Sequence, residues 1–359
     1  MCFRKWRKIM PKIGVVGYFG FSTDNPIIGG QMAKTLGIYD QLCKNHGEEN
    51  VQIVDTSNWK AEKVKLVSQC WRVACSCKKI IIMPNKHGIK FVLPFFATLK
   101  NVFHYQLAYP VVGGWLTSLL ENHRYLKKSI KKIDYILPET EELKLELGGF
   151  YSGNIDVMSI FSIRTPISVD EVNYDIEPPY KFCTFSRVTQ EKGIDDAIEA
   201  ISRVNDSSTK IKCTLDVWGP IENGKEEHYN TLFHKHQAYV TYKGVLNGED
   251  CLKVLSQYFC MLFPSFYPGE GFPTSVCESY MSGLPVIASD WRFNKEIVKN
   301  DETGYLFHAK DMEALSRCIE DAITEPRKIL AMKKICLEYS ENFKPENVIK
   351  PLTRWLCDA

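Results

Sequence analysis

The sequence predicts an α/β protein with two doubly wound domains, and three observations support this fold class. Short apolar runs alternate with longer amphipathic segments, which is typical of βαβ units and a parallel sheet. A polar, proline-bearing stretch interrupts this pattern, which then starts again. The length of 359 residues suits two domains of ordinary size better than one.

The apolar runs predict six strands in each domain. In the first domain they are KIGVVG (12–17), VQIVD (51–55), IIIMP (80–84), NVFHYQLAYP (101–110), IDYILP (133–138) and IDVMSIF (155–161). In the second they are KFCTFSR (181–187), CTLDVWG (213–219), VTYKGV (240–245), CMLFP (260–264), PVIAS (285–289) and YLF (305–307).

Helical periodicity fills the intervals between these strands. In the first domain we expect helices over 31–46, 60–79 and 91–100, and two last helices close the chain over 327–343 and 346–357. The resulting boundaries are an N-terminal domain (1–168), a linker (169–179), a C-terminal domain (180–343) and a C-terminal helix (344–359).

Composition indicates a soluble globular protein, with 45% apolar and 25% charged residues. No apolar run reaches the roughly 18 residues of a membrane span. The basic and aromatic start, MCFRKWRKIMPK, lacks the apolar segment of a secretory signal, so a cytoplasmic location is expected. The 13 cysteines show no zinc-site spacing and are expected to be reduced thiols.

The charge is unevenly distributed along the chain. Residues 1–174 carry 23 Lys and Arg against 15 Asp and Glu, a net charge of +8, whereas residues 175–359 carry 22 against 28, a net of −6. The first half therefore favours an anionic surface or ligand, and no nucleic-acid partner is expected for the chain.

The segment PGEGFPTSVCESYMSGLPVIASD places Glu270 and Glu278 eight residues apart, where a strand, a loop and a helix are predicted. Pro273 suits the first position of a helix that ends near Ser282. Backbone N–H groups at the start of such a helix form an anion site, and they belong to Phe272, Thr274 and Ser275. Glu278 lies about a turn and a half into the helix and can face the same crevice.

Each glutamate taken singly has a plain structural interpretation. Glu278 would pair with a cation, and Glu270 would be a solvated loop residue. Their combination in one loop and helix favours a ligand that offers hydroxyl groups beside an anion. A nucleotide sugar has both.

This segment resembles the E-x7-E signature of the family-four, or group 1, retaining glycosyltransferases, whose GT-B architecture has two facing Rossmann-like domains. FNKEIVKNDETGYLF and FSRVTQEKGIDDAIEAI are similar to sequences of the same group. IGGQMAK and VVGGWL are similar to sequences in bacterial capsule, O-antigen and exopolysaccharide transferases. The resemblance covers nearly the whole chain and is more specific in its C-terminal half.

The resemblance implies a role for each matching residue. Glu270 would hold hydroxyls of the transferred sugar, while Arg187 and Lys192 would neutralise the leaving diphosphate. Glu278 would accept hydrogen bonds from the ribose of the donor. Further donor-binding positions are Gly271, Phe272, Pro273, Thr274, Gly29 and Gly30.

The resemblance also implies the reaction: transfer of a sugar, with retention, from a nucleotide-diphosphate sugar to a glycan or a lipid-diphosphate-linked oligosaccharide. Uridine is the commonest base in the group, so a UDP-sugar is the expected co-substrate and no cofactor is expected. No catalytic metal is expected either, since the chain contains no Asp-x-Asp and two basic side chains are already placed for the diphosphate. The expected setting is the biosynthesis of surface polysaccharide.

Many members of the group also carry a histidine near the transferred sugar, after an N-terminal strand. The candidates here are His104 and His87. His104 falls within a predicted strand and is equally well interpreted as a core histidine. Tyr109 and Trp115 are candidates for the acceptor side, although packing is the better interpretation of both aromatic residues.

Three other functions fit parts of the sequence. A dinucleotide-binding oxidoreductase would use Asp55 at the end of the second strand, but G-x-G-x-x-G is missing after the first. A glycoside hydrolase also needs two carboxylates, yet it has no use for Arg187 and Lys192. The third is a catalytically silent, membrane-associated partner that binds a nucleotide sugar without turnover.

The segment HRYLKKSIKKID predicts a helix with a basic face, which makes membrane attachment a hypothesis. Its charged arc contains Arg124, Lys127, Lys128, Lys131 and Lys132, opposite Leu126, Ile130 and Ile133. The N-terminus adds Arg4, Lys5, Arg7 and Lys8 around Phe3 and Trp6. A solvated outer face explains the same pattern, whereas the alternative is peripheral binding to the anionic inner leaflet of the cell membrane.

Overall fold

The structure is a computed structural model, and it describes residues 12–23, 30–162, 164–174, 177–206, 208–246, 248 and 250–358. These residues form two compact units. The first contains the described residues up to Phe161 and those from Pro345 onward, whereas the second runs from Ser162 to Lys344. The division lies a few residues before the predicted linker, and the end of the chain returns to the first unit.

The described part of the first unit contains a parallel sheet covered by helices. Its strands are β1 (Ile13–Gly17), β2 (Val51–Asp55), β3 (Lys79–Met83), β4 (Gln106–Pro110), β5 (Tyr135–Leu137) and β6 (Asn154–Ile155). Its helices are α1 (Gly30–His46), α2 (Lys63–Ser76), α3 (Ile89–Phe103), α4 (Leu116–Asn122), α5 (Arg124–Ile130) and α6 (Glu141–Gly148). The strand order is β2-β1-β3-β4-β5-β6.

The second unit repeats this architecture. Its strands are β7 (Tyr180–Phe185), β8 (Cys213–Trp218), β9 (Val240–Gly244), β10 (Cys260–Phe263), β11 (Val286–Ser289) and β12 (Gly304–Phe307). Its helices are α7 (Ile194–Asp206), α8 (Glu226–Lys235), α9 (Cys251–Ser256), α10 (Thr274–Met281), α11 (Asn294–Ile297), α12 (Met312–Thr324) and α13 (Pro326–Ser340). The order is β12-β11-β10-β7-β8-β9, again parallel throughout.

Burial explains why the strands could be predicted from apolar runs. Every residue of β1, β3, β10 and β11 is buried. A parallel strand is covered by helices on both faces, so it needs a continuous apolar run rather than an alternating one. α7 instead buries one stripe, which includes Ile194, Ile198 and Ile201.

The last helices, α14 (Pro345–Val348) and α15 (Lys350–Cys357), pack on the first unit. Leu352 and Trp355 join its core. The Lys79 ammonium donates to the carbonyls of Trp355 and Asp358, both at 2.6 Å, and lies 4.7 Å from the centroid of the Trp355 ring. Lys79, at the start of β3, thus binds one of the last carbonyls of α15 and the carbonyl of Asp358, the residue that follows the helix.

Two predicted strands in the first unit differ from the observed ones. The helix α3 continues to Phe103, so the predicted strand over 101–110 begins only at Gln106. Of the segment predicted as a strand over 155–161, only Ile155 belongs to a strand, although the amides of Asp156 and Met158 still donate to the carbonyls of Ile136 and Pro138. Met158 and Phe161 remain buried without being part of a strand.

Among the described residues, no helix combines the length and apolar character that a membrane span requires. The cysteines described by the structure are all free thiols, most of them buried. In the same residues, no three His, Cys, Asp or Glu side chains are grouped in a way that could hold a metal ion.

Candidate active site

The second sheet changes direction between β7 and β10, and the predicted site residues follow these two strands. From β7 the chain builds β8 and β9 on one side, and it returns to β10, β11 and β12 on the other. In open α/β sheets, ligands bind beyond the carboxyl ends of the strands at such a switch point. Arg187 and Lys192 follow β7, while Glu270 follows β10.

The loops after β7 and β10 are held in contact by their backbones. The amide of Phe266 donates to the carbonyl of Glu191 at 2.8 Å. Gly193 has a φ of 72°, and any Cβ at this position would collide with the carbonyl of Pro264. Glycine is therefore required here both for its backbone conformation and for the close approach of the two loops.

Glu270 is a buried member of an ion pair, so its interpretation as a solvated loop residue is wrong. Its side chain has a relative exposure of 7%. The Lys192 ammonium lies 2.9 Å from Oε1 and 2.7 Å from Oε2, and the Ser265 hydroxyl donates to Oε2 at 2.5 Å. A charge this deeply buried needs such partners, and they fix the carboxylate in one orientation.

Tyr267 contacts both predicted cations. The Lys192 ammonium and the Arg187 guanidinium each lie 5.4 Å from the centroid of its ring. The ring is held in turn by the Trp291 indole, which donates to the Tyr267 carbonyl at 2.8 Å. Arg187 itself is exposed and makes no ion pair with the described residues, so its charge faces solvent beside the loop.

The backbone that follows Glu270 leads directly into α10. Pro273 was predicted as the first residue of the helix, but it is the residue before it. The amide of Val276 donates to its carbonyl at 3.1 Å. The amides of Thr274 and Ser275 precede that bond and belong to the helix start, where an anion is favoured. Gly271 and Phe272 are buried, and the Phe272 ring packs 5.3 Å from that of Phe343.

Glu278 is paired with a cation, in agreement with its structural interpretation. The Arg164 Nε donates to Oε1 at 3.0 Å, and the Ser162 hydroxyl donates to the same oxygen at 3.3 Å. Burial raises the pKa of Glu278, while Arg164 and Ser162 oppose that rise. The main group that stabilises the charged form of this carboxylate is therefore an arginine that lies 114 residues earlier in the chain.

The first unit has its own switch point, between β1 and β3. Gly30 is the first residue of α1, and the Gln31 side chain beside it donates to the carbonyl of Met83 at 2.8 Å. Gly30 therefore lies at the carboxyl-end edge of the sheet, as expected for a residue near a ligand. The predicted partner, Gly29, lies outside the described residues.

His104 lies at the opposite edge of the sheet, contrary to both interpretations of it. It caps the end of α3 in the left-handed conformation, with φ 53° and ψ 36°, and its side chain is exposed. The strand β4 begins two residues later, so His104 is at the amino end of that strand. It is neither a core histidine nor a residue of the carboxyl-end edge where ligands bind.

The other N-terminal candidates also have clear positions. His87 is exposed in the loop after β3, at the carboxyl-end edge of the sheet. Tyr109 is fully buried, in keeping with a packing role, although its hydroxyl has no hydrogen-bond partner in the described part of the chain. Trp115 is half-buried at the start of α4.

Asp55 is occupied by the protein's own loop. Its carboxylate accepts hydrogen bonds from the amides of Phe19 at 3.0 Å and Ser22 at 2.8 Å, as well as from the Ser57 hydroxyl at 2.7 Å. Burial works against its charge, but these bonds outweigh burial and lower the pKa of Asp55. A dinucleotide-binding enzyme would need this carboxylate for a ribose, so the geometry disfavours that alternative.

Residues 170–342, which carry both glutamates and both cations, match the family model described as glycosyl transferases group 1. These residues belong to the group 1 glycosyltransferase family. The resemblance indicated by the sequence is therefore confirmed.

Relatives of this group 1 domain extend the comparison to the rest of the chain. The GtfA subunit of a UDP-N-acetylglucosamine–peptide N-acetylglucosaminyltransferase from Streptococcus gordonii is 26% identical over 306 residues, which cover 82% of this chain and 57% of the relative. The putative colanic acid biosynthesis glycosyltransferase WcaL of Escherichia coli K12 is 23% identical over 191 residues, covering 49% and 46%. This chain thus spans little more than half the length of the GtfA relative.

The predicted GT-B fold is also confirmed. The crystal structure of Anabaena HepE in complex with UDP has a TM-score of 0.73 to this chain, covering 97% of this chain and 100% of HepE at 14% identity. The similarity in fold therefore includes the N-terminal unit, which the family model does not match.

Sequence reasoning missed Ser162 and Arg164, which bind Glu278. The signal available was a lone arginine in FSIRTP, between an apolar stretch and the predicted linker. It also missed Tyr267, although the tyrosine lies in the same loop as Glu270. Aromatic residues in apolar segments are usually packing residues, so nothing in its local sequence distinguishes this one.

Proposed function

We propose that the protein is a retaining glycosyltransferase that moves a sugar from a UDP-sugar to a glycan or lipid-linked oligosaccharide during surface polysaccharide biosynthesis. The observation that carries this proposal is the switch-point crevice of the second unit. Two cations, Arg187 and Lys192, border it together with Glu270, and Glu278 lies on the helix that begins there.

The cations suit the chemistry of the donor. When a sugar–phosphate bond breaks, negative charge builds on the diphosphate and positive charge on the sugar ring. Fixed positive groups beside the leaving diphosphate lower that barrier, and a preorganised group of this kind contributes about 3 kcal/mol. Arg187 and Lys192 are held over one aromatic ring, so little reorganisation is needed when the charge develops.

The two glutamates take different parts of the donor in this proposal. Glu270 accepts a hydrogen bond from a hydroxyl of the transferred sugar through Oε1. Each carboxylate oxygen can accept about two hydrogen bonds, Lys192 uses one on each, and Ser265 uses the second on Oε2. Glu278 accepts from the ribose. The amides at the start of α10, together with Gly271, Phe272, Pro273 and Thr274, approach the phosphate or sugar oxygens. Donor binding by Gly29 and Gly30 remains a separate proposal that rests on the resemblance.

UDP is the proposed nucleotide, and catalysis is proposed to need no metal. HepE was crystallised with UDP, and the GtfA relative is named for UDP-N-acetylglucosamine. If catalysis needs no metal, activity should survive chelation by EDTA. If EDTA abolished activity and Mg²⁺ or Mn²⁺ restored it, metal independence would be contradicted, whereas the proposal of UDP as the nucleotide would be unaffected.

Release of UDP tests the reaction itself. Purified protein is incubated with UDP-glucose, UDP-galactose and UDP-N-acetylglucosamine without an added glycan, so that water accepts the sugar, and free UDP is measured alongside calorimetric binding. We expect release that Glu270→Gln abolishes and that Glu313→Gln, an exposed glutamate with 79% of its side chain accessible, leaves unchanged. Binding without release by the wild-type protein would favour the silent partner, and absence of binding across UDP-, GDP- and dTDP-sugars would reject the proposal.

The acceptor is proposed to be held at the cytoplasmic face of the membrane by the first unit. On α5 and the turn after it, Arg124, Lys128, Lys131 and Lys132 are exposed, whereas Leu126, Ile130 and Ile133 are buried. Lys127 is half-buried, with its ammonium 5.5 Å from the centroid of the Phe150 ring. Each lysine or arginine near an anionic surface adds about 1 kcal/mol to the binding free energy, so a few of them suffice for reversible binding. The basic N-terminal residues of the hypothesis lie outside the described residues.

Co-sedimentation with liposomes tests this attachment. We expect binding to vesicles that contain anionic lipid, none to neutral vesicles, and loss at high salt because the attraction is screened. Replacing Lys128, Lys131 and Lys132 with serine should weaken it. The matched control replaces Lys235, Lys299 and Lys334, exposed lysines of the second unit, and should leave it unchanged. Equal sedimentation with neutral and anionic vesicles would reject the attachment.

A further inference from the structure

The ion pair at Glu278 uses only one of the two carboxylate oxygens. Arg164 and Ser162 both donate to Oε1. In the part of the chain that the structure describes, no hydrogen bond reaches Oε2. The carboxylate is thus half occupied by the protein, unlike that of Glu270, both of whose oxygens accept from Lys192.

Arg164 is itself braced on two sides. Its guanidinium donates through Nη1 to the carbonyl of Gly248, in the loop between β9 and α9. Its backbone amide donates to the Ser162 hydroxyl at 3.2 Å, and that hydroxyl donates in turn to Glu278. A guanidinium bound at two of its nitrogens loses little further freedom when a ligand arrives, and it holds its partner carboxylate in place.

We propose that Arg164 is a positioning residue that holds Oε1 of Glu278 so that Oε2 is presented to the ribose hydroxyls of a ribonucleoside diphosphate. The inference rests on the proposed function and names how the donor's ribose is recognised. The role proposed for Arg164 thus differs from that of Arg187 and Lys192, which are proposed to act on the diphosphate.

The first test is binding of UDP by calorimetry to Arg164→Gln, Arg164→Lys and the wild-type protein. We expect Arg164→Gln to weaken UDP binding about tenfold to 100-fold, the size of a lost hydrogen bond to a charged group. Arg164→Lys should recover part of the affinity, since one ammonium can replace the Nε contact but not the bond to Gly248. Arg317→Gln, an exposed arginine on α12, is the matched control and should bind as the wild type does.

The second readout is the preference of the protein for UDP over analogues that lack a ribose hydroxyl. This preference would not change if Arg164 had a purely structural role. The wild-type protein should bind UDP better than at least one of its 2′-deoxy and 3′-deoxy analogues. Arg164→Gln should lose most of that preference, because an unheld carboxylate no longer meets the hydroxyls in a fixed geometry. A variant that merely loosens the fold would weaken all three ligands equally, and its melting temperature would fall.

The pH dependence of binding gives a third readout. Among the described residues, the titratable or charged groups that interact with Glu278 are Arg164 and the Cys251 thiol. The pKa of Cys251 is raised to about 11, chiefly by burial and secondarily by Glu278. Without Arg164, burial raises the pKa of Glu278 unopposed by its main counter-charge. The affinity of Arg164→Gln for UDP-glucose should therefore fall on acidification more than that of the wild type, and adding Glu278→Gln to the same variant should abolish that trend.

The outcomes distinguish the inference from the function beneath it. If the wild-type protein binds no nucleotide of the panel, the proposed function fails and the inference fails with it. If the wild type binds UDP but Arg164→Gln binds it equally well, only the inference is overturned. Tighter binding by Arg164→Gln would also overturn it, because Arg164 would then compete with the ribose for Glu278.

Discussion

Each unit has a lysine–glutamate ion pair at the carboxyl-end edge of its sheet. In the first unit, the Lys34 ammonium lies 3.2 Å from Oε1 of Glu139, and the two side chains are 0% and 1% exposed. In the second unit, Lys192 lies 2.7 Å from Glu270, with exposures of 12% and 7%. The two pairs are alike in chemistry and in their place relative to the strands.

Their remaining partners differ. Lys34 also donates to the carbonyls of Val111 at 3.0 Å and Met158 at 3.2 Å, while Oε2 of Glu139 accepts from the amide of Gly113 at 3.0 Å. All three ammonium hydrogens are used, and the pair joins α1 to three other segments. Lys192 instead donates to Glu270 and otherwise faces aromatic rings. The number of protein partners therefore distinguishes a structural pair from one that can also bind a ligand.

The largest effect is expected from breaking the structural pair. Lys34→Met leaves Glu139 buried without its counter-charge and leaves two carbonyls without a donor. Removing one partner of a buried ion pair costs about 3–5 kcal/mol in the free energy of unfolding. Denaturant unfolding measures it, with the midpoint expected to shift strongly.

The matched control for Lys34 is Lys65→Met on α2. Lys65 pairs with Glu62, but the side chains are 58% and 39% exposed, so the loss should be below about 1 kcal/mol. Equal destabilisation by the two variants would mean that the partners of Lys34 do not have the structural role assigned to them.

Arg187→Ala tests the second unit, where Arg187 lies beside the Lys192–Glu270 pair. Arg187 makes no ion pair with described residues and is exposed, so its removal should leave the melting temperature within a degree or two. Release of UDP from the donor should slow by about 100- to 1,000-fold, as when one preorganised charge-stabilising group is lost. Lys334→Met, an exposed lysine on α13, is the control for a lost cation. A stable variant with full turnover would remove Arg187 from the site.

Tyr267 offers a smaller test of the same edge. Its ring lies 5.4 Å from both Arg187 and Lys192, so Tyr267→Leu should reduce turnover about tenfold by loosening the two cations. Tyr267→Phe keeps the ring and should retain nearly full turnover. If phenylalanine were as damaging as leucine, the hydroxyl rather than the ring would be the active feature.

The sequence predicted the strands of the second unit well because burial in a parallel sheet leaves an unambiguous apolar run. CMLFP, for example, contains β10 with one residue to spare. The segment that contains Glu270 and Glu278 likewise predicted a loop followed by a helix start. Such signals are local, since the pattern and the structure it produces occupy the same few residues.

Features that depend on distant segments were not predictable in this way. Arg164 meets Glu278 only because the chain before the linker passes α10, which no spacing within FSIRTP indicates. The end of α3 was also misplaced, because NVF continues the apolar pattern of the helix into that of the following strand. An apolar run fits a buried helix and a buried strand equally well, so periodicity could not mark the boundary.

The smallest effect is expected at His104, and it tests whether the amino-end edge of the first sheet has any part in catalysis. His104 ends α3 in the left-handed conformation, at φ 53°, a position that favours glycine. A side chain in this conformation costs about 1–2 kcal/mol, which replacement by glycine would recover. Part of that recovery is offset, because glycine has more conformational freedom in the unfolded chain.

His104→Gly should therefore keep the free energy of unfolding unchanged or raise it by up to about 1 kcal/mol, while UDP release stays at the wild-type rate. Thermal unfolding and the release assay measure the two quantities on one preparation. His87→Gly is the informative companion, since His87 lies at the carboxyl-end edge, where a ligand can be reached. A stable His104→Gly protein with lost turnover would return His104 to the active site, and it would show that catalytic groups are not restricted to the carboxyl-end edge of this sheet.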